Sequence, residues 1–92
     1  MLKIKNNVDL KELEKYGYKE YDTGRYEKEI ALDNLNTLFI LVSRKKIMFR
    51  IEFRFFCGIS NTSYTQKEFG FFITRYHLKD LIKNKLVEKV EG

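Results

Sequence analysis

Five cations stand close together in the middle of this sequence: Arg44, Lys45, Lys46, Arg50 and Arg54. Met48 and Phe56 share the parity of Arg50 and Arg54, so an extended backbone shows all four on one face. Phe72 and Tyr76, on a later stretch that also reads as extended, are expected to join them, with Phe39 and Leu41 from the preceding strand. Arginine can hold a phosphate while an aromatic ring stacks on a base, the combination that single-strand binders place on a sheet. The same residue types are enriched in protein interfaces. A third reading makes these aromatics core, covered by a helix or by the chain's own termini. Glu52, between Arg50 and Arg54, then belongs to an ordinary cross-strand charge ladder.

Catalytic chemistry finds less to work with. The lone His77 has no Cys, Ser or Asp placed beside it by a recognisable motif, and it reads as a surface residue at a helix start. One Cys and one His cannot supply a structural zinc site. Asp33, Glu52, Glu68 and Asp80 are the carboxylates that might have gathered a magnesium ion, but they are isolated from one another in sequence. No glycine-rich phosphate loop is present. A non-catalytic chain with no cofactor is expected. The polar stretch 57–67, read as a long loop with Tyr64 among small residues, is a second candidate for binding contacts. Cys57 at its root is read as a small buried hydrophobe.

These side chains need elements to position them. Asp9 and Glu12 read as an N-cap and its partner, Leu10, Leu13 and Tyr16 share a helical face, and Gly17 can close the helix, so a short helix is expected over 10–16. Residues 18–21 look extended and Asp22-Thr23-Gly24 is a turn cluster. Tyr26, Lys28 and Ile30 alternate with Glu27, Glu29 and Ala31, as in a polar strand near an edge. After a turn at 32–36, the stretch 37–43 is apolar on both parities, as a strand covered on both faces would be. Arg44-Lys45-Lys46 is a tight charged connection. Ile47, Phe49, Ile51, Phe53 and Phe55 then alternate strictly with Met48, Arg50, Glu52, Arg54 and Phe56, predicting a central strand with one buried row. A further strand is expected over 68–76, with Phe69, Phe71 and Ile73 inward. A helix follows over 77–84, with Leu78, Leu81 and Ile82 on one side. Residues 86–90 are compatible with an extension of that helix or with a short final strand, and the strand is the favoured reading.

The fold class predicted is α+β: a four- or five-stranded antiparallel meander, with a short N-terminal and a C-terminal helix packed on one face. Ninety-two residues make one domain, 1–92. Eight Phe and six Tyr, with no Trp and no Pro, lean the composition towards sheet. The net charge of +5 is uneven. Residues 1–31 are neutral, 32–60 carry a net +3 and 61–92 a net +2. The excess sits on the hairpin 44–54, where it can attract an anionic partner. A single Cys fits a reducing compartment, and the first residues lack the apolar core of a signal peptide. The longest apolar run, Leu38 to Val42, is too short to span a membrane. Asn61-Thr62-Ser63 matches a glycosylation acceptor and is read as chance in a cytoplasmic protein.

The segments Ile4 to Tyr18 and Leu78 to Glu88 resemble the opening and the helix-then-strand ending of small proteins from bacteriophages and prophages of low-GC Gram-positive bacteria. Together they cover under a third of the chain, and the motifs are structural caps. The resemblance implies a mobile-element origin in the cytoplasm of a host bacterial cell, and by analogy a protein that binds a host component. The function expected is therefore a non-catalytic protein-binding module, acting as an inhibitor of a host system or as a self-associating subunit. The alternative is a nucleic-acid binder using hairpin 44–54. Arg44, Lys45, Lys46, Met48, Arg50, Arg54, Phe56, Phe72 and Tyr76 form the expected partner surface, with no membrane involved.

Overall fold

The computed structural model describes residues 1–90. Among them an antiparallel sheet dominates, built on the two strands with the strongest alternation. β4 (Asn36–Ser43) and β5 (Lys46–Phe55) pair along their length, so that Leu38, Ile40 and Val42 lie opposite Ile51, Phe49 and Ile47 on one face. β3 (Arg25–Ala31) flanks β4, and β2 (Lys19–Asp22) forms the outer margin on that side. The edge position therefore belongs to β2, and β3 is an interior strand whose Tyr26 is buried. β1 (Leu2–Ile4) is a strand that sequence reasoning did not anticipate. It lies between the start of β5 and β7 (Val87–Lys89). The favoured final strand is present.

The far end of β5 pairs instead with β6 (Gly58–Tyr64), across a turn at Phe56 and Cys57. This corrects the loop expected over 57–67. The sheet thus has seven strands among the described residues, more than the four or five expected. One margin of β5 is shared between β1 and β6. Gln66, buried where these two strands part, closes the gap: its Oε1 accepts the Leu2 N–H at 2.8 Å, and its Nε2 donates to the carbonyls of Leu2 at 2.6 Å and Ile47 at 3.0 Å.

The stretch 68–76 is helical, which corrects the strand expected there. α1 (Gln66–Phe69) starts from a capping box in which Thr65 accepts from the Glu68 N–H while Glu68 accepts from the Thr65 N–H. The Thr65 backbone N–H, and after it the Thr65 hydroxyl, hold the Glu68 carboxyl below its ordinary range. α2 (Phe71–His77) and α3 (Lys79–Lys83) continue the layer. Gln66, Thr74, Leu78 and Leu81 are the buried positions, a helical spacing that the alternating phenylalanines conceal. The expected first helix is present over Leu10–Tyr16 as a 3₁₀ helix, capped by Asp9 and closed by Gly17 at φ 92°. Its Leu13 joins Ile4, Phe49, Leu78 and Leu81 in one core, so helices and strands share a single apolar layer.

The row on β5 is only half buried. Ile47 and Phe49 lie under the helical layer, whereas Phe53 and Phe55 are exposed and stack on each other at 5.7 Å. The expectation of one continuous buried row is overturned because the helices are too short to reach the distal half of the strand. On the opposite face of β4, Phe39 is buried beneath Arg50, whose guanidinium lies 4.4 Å from the ring centre. A cation, not a second layer, covers that face.

Candidate binding surface

The residues expected to form one surface fall into three places. Arg44 and Lys45 occupy the two-residue turn between β4 and β5, both with positive φ, at 50° and 69°. Such a turn matches the twist of a hairpin but favours Asn and Gly, so cations here are held at a conformational cost. Lys45 is committed to the fold. Its Nζ donates to the carbonyls of Lys5 and Asn6, at 3.1 and 3.0 Å, and to that of Val8. This clasps the segment after β1 and removes Lys45 from any partner surface.

Arg44 and Lys46 remain exposed, with Met48 half-exposed beside them. They line a shallow groove with Tyr21, Arg25, Leu41 and Ser43. Tyr21, Leu41 and Met48 give it an apolar floor, and Arg25, Arg44 and Lys46 a cationic rim. Arg25 approaches Asp22 only at 4.0 Å. Sequence reasoning named neither Tyr21 nor Arg25; the signal was the hairpin register that carries Arg25 opposite Ser43.

The lower cations have partners. Arg50 lies over Phe39, and Arg54 pairs with Glu52 at 3.5 Å along the same strand; the cross-strand charge ladder expected is absent, since Thr37 and Asn61 stand opposite Glu52. The basic hairpin therefore offers its cations at one end only.

Phe56 stands in the β5–β6 turn, about 30 Å of extended strand from Lys46, with its ring fully in solvent. Cys57 beside it is also exposed, contrary to the buried position expected. Phe72 and Tyr76 lie on α2, in the layer that covers the Phe49 face, so they stand on the opposite side of the sheet from Met48 and Arg50. The expected union of these four is overturned by the helical conformation of 71–77. Phe72 is 86% exposed and Tyr76 64%. Phe71 meets Phe72 edge-on at 6.3 Å, and Lys79 lies 4.9 Å over Tyr76, giving α2 an aromatic outer surface fringed by cations.

His77 is half-buried against Phe69 and Tyr76, and burial, with the nearby Lys28 charge, pulls its pKa below the ordinary value. Lys28 itself pairs with Asp80 at 3.3 Å. Among the described residues no group of His, Cys, Asp and Glu could hold a metal ion, and no helix is long and apolar enough to cross a membrane. Comparison with known proteins finds no family model matching the chain, and no match among curated proteins or solved structures.

Proposed function

We propose that this chain is a non-catalytic binding module that works by protein contact, in the bacterial cytoplasm and in the mobile-element setting that its terminal segments suggest. The supporting observation is the outer surface of α2. Phe71, Phe72 and Tyr76 leave large rings in water on one short helix, and exposed apolar patches of this kind mark interaction surfaces. Aromatic side chains fringed by cations are the composition that protein interfaces favour. Inhibition of a host component is the role this reading assigns.

The test is capture from a bacterial lysate by the immobilised chain, with and without nuclease, for the native sequence and for Phe72→Arg. The expected result is capture that survives nuclease and is lost in Phe72→Arg, whose exposed site leaves the melting temperature unchanged. Capture abolished by nuclease, or indifferent to Phe72→Arg, overturns the reading.

The cationic rim favours a second reading, nucleic-acid binding at the groove of Arg25, Arg44 and Lys46. Each phosphate neutralised adds about one unit to the slope of log affinity against log salt, so three contacts give a slope near three. Filter binding with single-stranded and duplex DNA and RNA at low salt decides it. No retention at micromolar protein is expected.

A further inference from the structure

The sheet ends in three open margins among the described residues: β2, β7 and β6. An open edge offers unpaired N–H and C=O groups to any other strand, and proteins blunt such edges with charge, brevity or a bulge. β2 has all three, with Lys19, Glu20 and Asp22 in four residues and a register break between Glu20 and Asp22. β7 is three residues long and carries Glu88 and Lys89. β6 has none of these defences. It runs seven residues in unbroken register, exposed from Gly58 to Ser63. No charged residue occurs from Phe55 to Gln66, in a chain that is 34% charged.

The register fixes which groups are free. Phe55 and Gly58 flank a two-residue turn and so exchange both hydrogen bonds. By alternation Ser60, Thr62 and Tyr64 also bond to β5, while Ile59, Asn61 and Ser63 turn their N–H and C=O outward. The Arg54 N–H, of the opposite parity to Phe55, goes to the Leu35 carbonyl on the other side at 2.7 Å, as the alternation requires. Ile59, Asn61 and Ser63 make no backbone hydrogen bond to any described residue away from the β5 ladder.

We propose that β6 pairs antiparallel with β6 of a second copy, about a two-fold axis at Asn61, joining two sheets into one. Pairing about such an axis sets Asn61 against its own copy, so a charge at that position would be repelled. In a protein of net charge +5, a long edge without charge is the one margin that fits a second copy. Asn61 meets the partner's Asn61, and Ile59 meets the partner's Ser63, each pair exchanging two hydrogen bonds through the outward groups. The same register carries the Phe56 turn towards the partner's Gln66. Gln66 borders a pocket of about 370 Å³ whose apolar walls are Met1, Leu2 and Phe71 and whose rim carries Lys67 and Arg75, so the solvent-exposed Phe56 ring gains partial cover there.

This proposal deepens the reading of the chain as a protein-contact module and rests on it. Sedimentation equilibrium from micromolar to millimolar protein is the test. The expected result is a concentration-dependent dimer whose dissociation constant rises about tenfold or more in Asn61→Lys, which sets two cations at the axis. Asn61→Pro, which removes an outward N–H without touching the β5 ladder, has the same effect. A monomer across the whole range overturns the proposal, as does a dimer indifferent to both variants. A dimer broken by Phe72→Arg instead places the second copy on α2 and also overturns it. A Phe72-dependent lysate capture stands whatever the β6 edge does, so the two readings fail separately.

Discussion

The ring of Phe49 lies flat on the ring of Phe69, centroids 4.3 Å apart and planes within 17°. Phe69 ends α1, so this stack marks how far along β5 the helical layer reaches. Phe53, two positions further on the same face, lies about 13 Å beyond it and is 39% exposed.

Truncation should therefore have unequal effects on one row. Phe49→Ala empties a fully buried site and is expected to cost about 3–5 kcal/mol, enough to unfold much of the population. Phe53→Ala removes a partly exposed ring that stacks on Phe55 and should cost clearly less, about 1–2 kcal/mol. Urea unfolding of the two variants gives the comparison. Equal losses would mean that a layer covers the distal half of β5 after all.

The two residues of the β4–β5 turn separate in the same assay. Lys45→Met keeps the apolar stem but deletes an ammonium shared by three carbonyls, and a loss of about 1–3 kcal/mol is expected. Arg44→Asn places a residue that accepts positive φ at 50°, and should leave stability unchanged or raise it by up to about 1 kcal/mol. A neutral Lys45→Met would show that the clasp on residues 5–8 is not needed.

Gln66 gives a sharper result because its buried amide takes up the Leu2 N–H where β1 and β6 part. Gln66→Leu strands the Leu2 N–H in the interior, and about 2–4 kcal/mol should be lost. Hydrogen exchange reads the site directly: the Leu2 amide should lose protection first, before the β4–β5 ladder opens. Simultaneous loss at both would assign the effect to global unfolding.

His77 should make stability fall in mild acid. Its pKa is lowered in the fold, chiefly by burial and then by Lys28, so the unfolded chain binds the proton more tightly. The contribution is fully present above the unfolded value of about 6.5 and is lost as pH falls through the lower folded value. Between about pH 7 and pH 5 the native melting temperature should drop, and His77→Gln should drop less. Parallel curves would exclude His77 as the source.

β3, β5 and the 3₁₀ helix were legible because burial on one face leaves a period, β4 because it is apolar throughout, and the turn at 22–24 from its Asp-Thr-Gly cluster. β6 left none. Ile59, Ser60, Asn61, Thr62 and Ser63 are exposed on both faces, so the strand is set by its ladder with β5 and by no apolar pattern. The helices over 66–77 were hidden for the opposite reason. Phe69, Phe71 and Ile73 alternate like a strand, yet Phe71 and Ile73 are exposed, and the informative residues were Thr65 and Glu68 of the capping box. That error moved Phe72 and Tyr76 to the other side of the sheet, and the tertiary contacts that engage Lys45 and Arg50 leave no mark in the sequence.

β1 meets β5 through the single pair Lys3–Lys46 but meets β7 through three, Leu2–Lys89, Lys3–Glu88 and Ile4–Val87. Most of the pairing of β1 therefore depends on residues made more than eighty positions later. A chain arrested before Val87 should keep the β3–β4–β5 meander while β1 lacks its three pairs with β7, so this long-range seam forms late.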